Sequence, residues 1–493
     1  MISIEKINEV HIRVYTDSSI AQELSDFFTF EVPGAKFTPQ YRARIWDGKI
    51  RLYDQHRKTL YVGLLKYVLD FAERNSYEVK ELNKVISNTP IETETVKKFA
   101  EFLNPCSRGE PITIRDYQIE AVTKAIRDER TLLLSPTASG KSFIIYTLMR
   151  YHLEHDRKCI IIVPTTSLVE QMYSDFADYS TGNGWQTQNN CQKLYSGFTK
   201  EFTSNVLITT WQSIYKQPKE WFNNFDVIFG DEAHQFKAKS LGTVMEKMTG
   251  ARYRIGTTGT IDNSKVHKLV LEGLFGPVHK VTTTKQLMEA GSVANLKITC
   301  LIMKYDEVVR KMMNKADYQD EMKFIIGSES RNKFIRNLTI NCDGNTLVLF
   351  QQVAKHGAIL YDLIKLKVGD KRKVFFIHGG TDTDTREETR KIMENETDAI
   401  VLASYGVFST GVNIPSIENV IFASPSKSKI RNLQSIGRGL RLKSGKTHCN
   451  LYDISDDMHW KSWKNHTLGH LAERLKTYAE EKFEYKLVEV ELE

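Results

Sequence analysis

"TLLLSPTASGKSFIIYTL", residues 131–148, decides how the rest of the chain is read. A short apolar run, a loop of small residues and an amphipathic run follow one another, the order of strand, phosphate-binding loop and helix. Such a loop works because its backbone N–H groups, helped by the positive end of the following helix, point at an anion. The usual pattern is G-x-x-x-x-G-K-[ST]. Gly140, Lys141 and Ser142 supply its end, while Ser135 stands where the first glycine should be. A serine can serve there if the position needs only a small residue. Residues of this kind also meet by chance, so the reading rests on what else follows.

Outward from this loop, short apolar runs alternate with longer amphipathic stretches. The first set reads "TLLLS" (131–135), "CIIIVP" (159–164), "NVLITT" (205–210), "DVIFGDE" (226–232) and "YRIGTTGT" (253–260). A second set reads "TLVLF" (346–350), "KVFFIHG" (373–379), "DAIVLAS" (398–404), "NVIFASP" (419–425) and "HCNLYDI" (448–454). Runs this apolar, separated by helical stretches, imply parallel sheets buried on both faces. The expected fold is therefore α/β, with two such units in tandem. Residues 1–100 read as a small basic α+β domain, 101–285 as the first unit, 286–340 as a helical connector and 341–455 as the second unit. The remainder, 456–493, reads as a short extension, a helix followed by a strand.

A length of 493 residues is too great for one core and suggests about three domains. Hydrophobic residues at 41% and charged ones at 26% are ordinary for a soluble globular protein. The net charge of +7 leans toward a polyanionic partner. Six scattered cysteines without a C-x-x-C pair argue against a disulfide framework or a zinc site and fit a reducing compartment. The start, "MISIEKINEVHIRVY", lacks the apolar stretch of a signal peptide, and no apolar run reaches about 18 residues. A cytoplasmic protein without a membrane partner is expected.

About ninety residues beyond the loop stands "DVIFGDEAH" (226–234). A strand delivering two adjacent acids at its carboxyl end would put Asp231 on a Mg²⁺ shell, together with Ser142. Glu232 would then orient and deprotonate an attacking water. A solvated Asp-Glu pair after a strand is common; behind a phosphate loop the same pair is specific.

In this form and order the segments resemble the superfamily-two DEAH-type helicases and translocases. That resemblance implies two RecA-like parallel-sheet lobes, ATP and Mg²⁺ as cofactors, and roles for individual residues. "IRDYQIEAV" (114–122) resembles the adenine-contacting segment, implicating Arg115, Tyr117 and Gln118. Ser135, Pro136, Thr137, Ala138, Ser139, Gly140, Lys141 and Ser142 would cradle the phosphates, with Lys141 reaching the β/γ positions. "IIVPTTSLVEQ" (161–171) and "LITTWQSI" (207–214) resemble backbone-contacting segments, with Pro164, Thr165, Thr209 and Gln212 as candidates. "GTTGT" (256–260) sits where the family carries its coupling motif, but departs from the commoner S-A-T form. "FSTGVNIPSIENVI" (408–421) resembles the fifth motif, with Thr410 as a nucleic-acid contact, and "QSIGRGLR" (434–441) the sixth, with Gln434 at the nucleotide. Arg438 and Arg441, three apart, would share one helix face and act as arginine fingers worth on the order of 10³–10⁵ in rate.

The other informative stretch is "YRARIWDGKIRLYD" (41–54). Asp47-Gly48 between alternating residues predicts a two-residue hairpin turn. Pairing outward would bury Ala43, Ile45, Ile50 and Leu52 and gather Arg42, Arg44, Trp46, Lys49, Arg51 and Tyr53 on the other face. Directly opposed arginines destabilise a hairpin unless an anion lies over them. Aromatics among cations suit phosphate contact with base stacking; the alternative is a solvated edge paired with acids elsewhere. Residues 421–450 form a second basic zone, with Lys427, Lys429, Arg431, Arg438, Arg441, Lys443 and Lys446 and no acid.

The compact sixth motif looks more like DNA translocases and restriction-type motors than RNA-acting DEAH helicases. Over its whole length the chain resembles phage recombination helicases of the superfamily. This implies unwinding and remodelling of branched DNA (recombination intermediates, stalled forks, R-loops with their RNA), with strand annealing as a related activity, by a monomer. Three alternatives stay open on the residues alone: an RNA helicase, a nucleotide-gated annealing protein, and a restriction motor whose nuclease trace would be Glu484-Tyr485-Lys486 with Asp456 or Asp457.

Overall fold

The computed structural model describes residues 1–492 apart from 33, 196–200, 238, 262–264, 411–415, 427 and 441–445. It divides into two compact units, Met1–Ser135 with Gly140–Val281 and Pro136–Ser139 with Thr282–Glu493. Each is built on a seven-stranded sheet in which all neighbouring strands run parallel. This is the tandem RecA-like α/β architecture expected from the alternating apolar runs.

Across the first sheet the strands lie in the order Cys191–Leu194, Val206–Thr210, Cys159–Val163, Val227–Asp231, Tyr253–Thr258, Arg130–Leu134 and Val278–Lys280. Across the second they lie in the order Val374–Ile377, Ile400–Ser404, Thr346–Phe350, Asn419–Phe422, His448–Asp457, Asn295–Lys304 and Tyr485–Glu491. Counted along the chain within each sheet, both orders are 3-4-2-5-6-1-7. The two units therefore repeat one topology. The central strands Cys159–Val163 and Thr346–Phe350 are buried along their whole length, as helices on both faces require.

The repeat corrects two expectations. The segment read as a helical connector contains the ten-residue strand Asn295–Lys304, which pairs with His448–Asp457 in the interior of the second sheet. Its burial is interrupted by polar positions, so an apolar-run search passes over it. The terminal stretch does form the helix His466–Glu480 and the strand Tyr485–Glu491, but that strand supplies the sheet's seventh position.

The N-terminal domain is α+β. Its four-stranded sheet runs Thr59–Tyr61, His11–Tyr15, Ile2–Lys6 and Val79–Glu81, with the helices Ser18–Phe27 and Leu65–Arg74. It is fastened to the first unit's sheet layer by polar contacts. Tyr61 donates to Glu246 (2.5 Å), Tyr67 to Glu272 (2.6 Å) and Arg130 to Glu9 (3.1 Å). Gly63 sits where any Cβ would strike the carbonyl of Glu272, which fixes how closely the two layers approach.

Residues 41–54 do not form the expected hairpin. Thr38 caps, and Pro39 opens, a short helix Pro39–Arg42, a start signal that outweighs strand alternation. Lys49–Arg51 instead pairs antiparallel with Thr29–Glu31. Asp47-Gly48 still turns the chain, with Gly48 at φ 77°, but the partner strand lies upstream. Ala43 and Ile45 are consequently exposed, Ile45 at 80%, and Tyr53 is buried with its hydroxyl on the Val14 carbonyl (3.4 Å). Tyr53 is thus a core residue, removed from the proposed contact face.

Candidate nucleotide and nucleic-acid site

At the carboxyl end of the first sheet, strand Arg130–Leu134 runs into the loop and then into the helix Lys141–Leu153. Gly140 caps that helix in the left-handed region at φ 83°. A Cβ there would collide with the side-chain amide of Gln118, so this glycine is required by both backbone and packing. Ser135 has no positive φ; its side chain is fully buried and its N–H donates to the Thr258 carbonyl at 2.8 Å. The first glycine of the usual pattern is therefore dispensable here. Ala138 takes the strained left-handed conformation (φ 66°), and the Ser139 hydroxyl closes the loop onto the Pro136 carbonyl at 2.7 Å. Lys141 Nζ lies 3.2 Å from the Ser135 carbonyl oxygen, and the Ser142 hydroxyl 2.9 Å from that of Tyr179.

The residues expected on the adenine side are bound to one another. Gln118 is buried and its Oε1 accepts from the Arg115 N–H (2.9 Å), while the Arg115 guanidinium donates to the Tyr117 hydroxyl (2.9 Å). Gln118 also abuts Gly140, which ties this segment to the loop.

The acids arrive on a strand one removed from Arg130–Leu134 in the sheet, with Tyr253–Thr258 between them. Asp231 ends strand Val227–Asp231, and Thr257, its register partner, donates to Asp231 Oδ1 at 2.7 Å. Burial first, and the neighbouring Glu232 carboxylate second, push the Asp231 carboxyl above its ordinary range, with Lys141 pulling the other way. A carboxylate held in that state is one that a divalent cation would relieve, so these residues fit Mg²⁺. Glu232 occupies the left-handed region (φ 50°), a conformation typical of functional positions. His234 links two motifs: its Nδ1 lies 3.3 Å from Glu232 Oε2 and 3.1 Å from Thr258 Oγ1. The sequence reading missed His234, Thr257 and Tyr179. The first two stand inside quoted motifs; Tyr179 carries no local signal.

The remaining expectations divide. Pro164 and Thr165 follow strand Cys159–Val163, Thr165 capping helix Thr166–Tyr179 with its hydroxyl on the Leu168 N–H, and Gln212 is exposed. Thr209, by contrast, is fully buried with its hydroxyl on the Leu194 carbonyl at 2.8 Å, so its side chain is structural. In the second unit Gln434 and Arg438 lie on helix Lys429–Gly439 and Thr410 ends helix Tyr405–Thr410. The helix stops before Arg441, which lies outside the described residues, so the shared-face argument does not extend to it. Lys427 and Lys443 are likewise outside, and Lys446 turns inward to donate to the Gly439 carbonyl (2.5 Å). In the N-terminal domain Arg42, Arg44, Lys49 and Arg51 are exposed and Trp46 half-buried, its indole N–H on the Lys49 carbonyl (2.8 Å). Arg51 is paired with Asp47 at 2.5 Å.

The nuclease alternative loses its acids. Asp456 is fully buried against Arg331 and Asp457 is bound to Lys304 and His459.

Residues 2–81 match the family model of the UvsW DNA helicase N-terminal domain, 111–263 that of the Type III restriction enzyme res subunit, and 330–443 the helicase conserved C-terminal domain. The ATP-dependent DNA helicase uvsW of Enterobacteria phage T4 is 35% identical over 98% of both chains. This chain belongs to the UvsW family of superfamily-two helicases. The crystal structure of T4 UvsW matches the whole of both chains at 32% identity with a TM-score of 0.53. The DNA 3'-5' translocase XPB2 of Sulfurisphaera tokodaii is more distant, 24% identical over 67% of this chain and 79% of its own. The UvsW N-terminal match spans the small domain fastened to the first sheet.

Proposed function

We propose that this UvsW-family protein is an ATP-driven DNA helicase and translocase acting on branched DNA: recombination intermediates, stalled forks and R-loops, with strand annealing as a related activity. The observation that carries the reading is the convergence of Lys141, Asp231 and Glu232 at the carboxyl end of one parallel sheet, beside a left-handed Gly140. Bound ATP with Mg²⁺ supplies the phosphoanhydride whose hydrolysis drives the cycle. The loop 135–140 and Lys141 bind the phosphates, Ser142 and Asp231 hold the cation, and Glu232 takes a proton from the attacking water. His234 and Thr258, joined to each other, relay the state of that site to the adjoining strand ends. Arg438 and Arg441 are assigned as arginine fingers and Gln434 as their neighbour at the nucleotide. Arg42, Arg44, Trp46, Lys49 and Arg51, with Pro164, Thr165, Gln212 and Thr410, are assigned to the DNA path, as contacts that position without reading sequence. The working division is 1–100 as the DNA-gripping domain, 101–285 as the first motor lobe and 286–493 as the second. The protein acts as a monomer in the cytoplasm, that of the host if phage-encoded.

The test is the rate of ATP hydrolysis with single-stranded, duplex, forked and four-way DNA beside matched RNA. Forked and four-way DNA are expected to stimulate most. Equal or greater stimulation by RNA would overturn the DNA assignment, and rates independent of any polymer would overturn the motor.

A further inference from the structure

The segment "HWKSWKNH" (459–466) lies beyond the matched helicase C-terminal region, which ends at 443, and none of the motifs absorbs it. Two indoles and two ammonium groups alternate over five residues, the composition that grips single-stranded nucleic acid by stacking and charge. In the fold it is a small, closed turn. Trp460 and Trp463 exchange both backbone hydrogen bonds at 3.0 Å, and Lys461 sits at the tip with φ 52°.

The base of this turn is built with buried polar groups. Asn465 Oδ1 accepts from the Met458 N–H (3.0 Å), and its Nδ2 donates to the Asp456 carbonyl (2.9 Å) and to Glu321 (2.8 Å). The fully buried Glu321 carboxylate also accepts from the backbone N–H groups of His466 and Thr467, each at 2.7 Å. That carboxylate caps the helix that follows, so the turn's end is pinned to helix Tyr318–Gly327. A buried asparagine and glutamate are costly unless hydrogen-bonded, and here every bond they make goes to the base of the turn or the start of the next helix, so the turn is held in one shape.

What the turn presents is not core. Lys461, Ser462 and Lys464 are exposed, and both indoles are half-buried without joining the second unit's described apolar cluster. Trp460 is flanked by cations, with Arg310 at 5.9 Å and Lys311 at 5.1 Å from its ring. The turn runs directly into His466, which with Tyr318, Gln351, Ser426, Ser428 and His470 lines a cavity of about 440 Å³. Hydroxyls, an amide and imidazoles in a concavity suit a sugar-phosphate backbone.

We infer that the Trp460–Trp463 turn is a contact site for single-stranded DNA, in which Trp463 stacks on an unpaired base and Lys461 and Lys464 neutralise the adjoining phosphates. Unpaired bases are the fitting ligand because an indole stacks on an exposed base face, which an intact duplex hides. The inference rests on the DNA-motor reading and adds a grip to it that lies outside the shared motifs.

The experiment is anisotropy of a labelled oligo-dT and of a blunt duplex with the full chain, over a series of salt concentrations. Trp463→Ala is expected to weaken oligo-dT binding about 5- to 100-fold, with Trp463→Phe keeping most of the affinity. Lys461→Glu with Lys464→Glu, both on exposed positions, is expected to weaken binding and flatten its salt dependence. Thermal melting of each variant separates lost contact from lost fold. If the unaltered protein binds oligo-dT and every folded variant binds it equally, this inference alone is overturned. If the unaltered protein binds neither DNA, the motor reading falls with it. A loss confined to the blunt duplex also overturns the assignment.

Discussion

The two sheets share one strand order but treat charge in opposite ways at their carboxyl ends. In the first unit, strand one leads into Lys141 and strand five ends in Asp231 with Glu232 just beyond it, gathered where a triphosphate and its cation are proposed to sit. In the second, strand one ends in Lys304, bound to Asp457 (2.7 Å) and Glu489 (2.9 Å), and strand six carries Asp453, Asp456 and Asp457. Arg331 meets Asp456 at 2.7 Å and Arg474 meets Asp453 at 2.8 Å, all four side chains buried. The same topology thus gathers one set of charges where a ligand is proposed to bind and consumes the other in its own cohesion. Topology offers a strand end; the residues placed there decide between catalysis and support.

The sharpest way to break this comparison is at Lys141. Lys141→Ala is expected to reduce ATP turnover to background while the melting temperature and DNA affinity stay near those of the unaltered protein. Glu232→Gln should lose about 10²–10⁴ in turnover yet still bind nucleotide. Full turnover in either protein would remove the first unit's charges from catalysis.

The matching change in the second unit is Asp456→Ala, which strands the Arg331 guanidinium in the interior. A loss of about 3–5 kcal/mol in urea unfolding is expected. Replacing both partners by Leu and Met should recover most of it, because two apolar groups leave no charge uncompensated. A normal midpoint for Asp456→Ala would show that the pair contributes little.

A smaller effect separates the units by pH. His356 is held at about 3, first by burial and then by the Arg331 charge, with Nδ1 3.0 Å from the Ser424 hydroxyl. Its folded pKa is depressed below the ordinary 6.5. The unfolded chain therefore takes up the proton first, and the stability this neutral imidazole secures is full above 6.5 and is lost as the pH falls toward 3. Between pH 6.5 and 5 the loss is about 2 kcal/mol. The stability of His356→Gln should fall less over that interval; parallel curves would refute the assignment.

The smallest expected change concerns the exposed cations of the N-terminal domain. Arg44→Ala with Arg51→Ala should flatten the salt dependence of DNA binding by up to about 0.9 log-log units per lost duplex phosphate contact. An unchanged slope would return both arginines to a solvated edge, where Arg51 already has Asp47.

The sequence by itself determined the central strands of both sheets and where the candidate chemistry falls along them. Central strands buried on both faces must be nearly continuous apolar runs, so ten of them stand out, and the phosphate loop and DEAH segment follow their strands by short local spacings. It also carried the family through ordered motifs. Only the tertiary structure decided which surface residues share a face. Whether Lys49–Arg51 pairs with the adjoining residues 42–46 or with the earlier Thr29–Glu31 depends on a helix start at Pro39 competing with a turn at Gly48, a contest that alternation alone does not settle. The strand Asn295–Lys304 needed its long-range partner to be seen, because its polar positions are satisfied by residues about 150 positions away, as Lys304 is by Asp457. The closed tryptophan turn, too, depends on Glu321, which no local pattern connects to it. Local periodicity writes strands and loops into a sequence; pairing, burial and charge compensation act between distant residues and become visible only when the chain is folded.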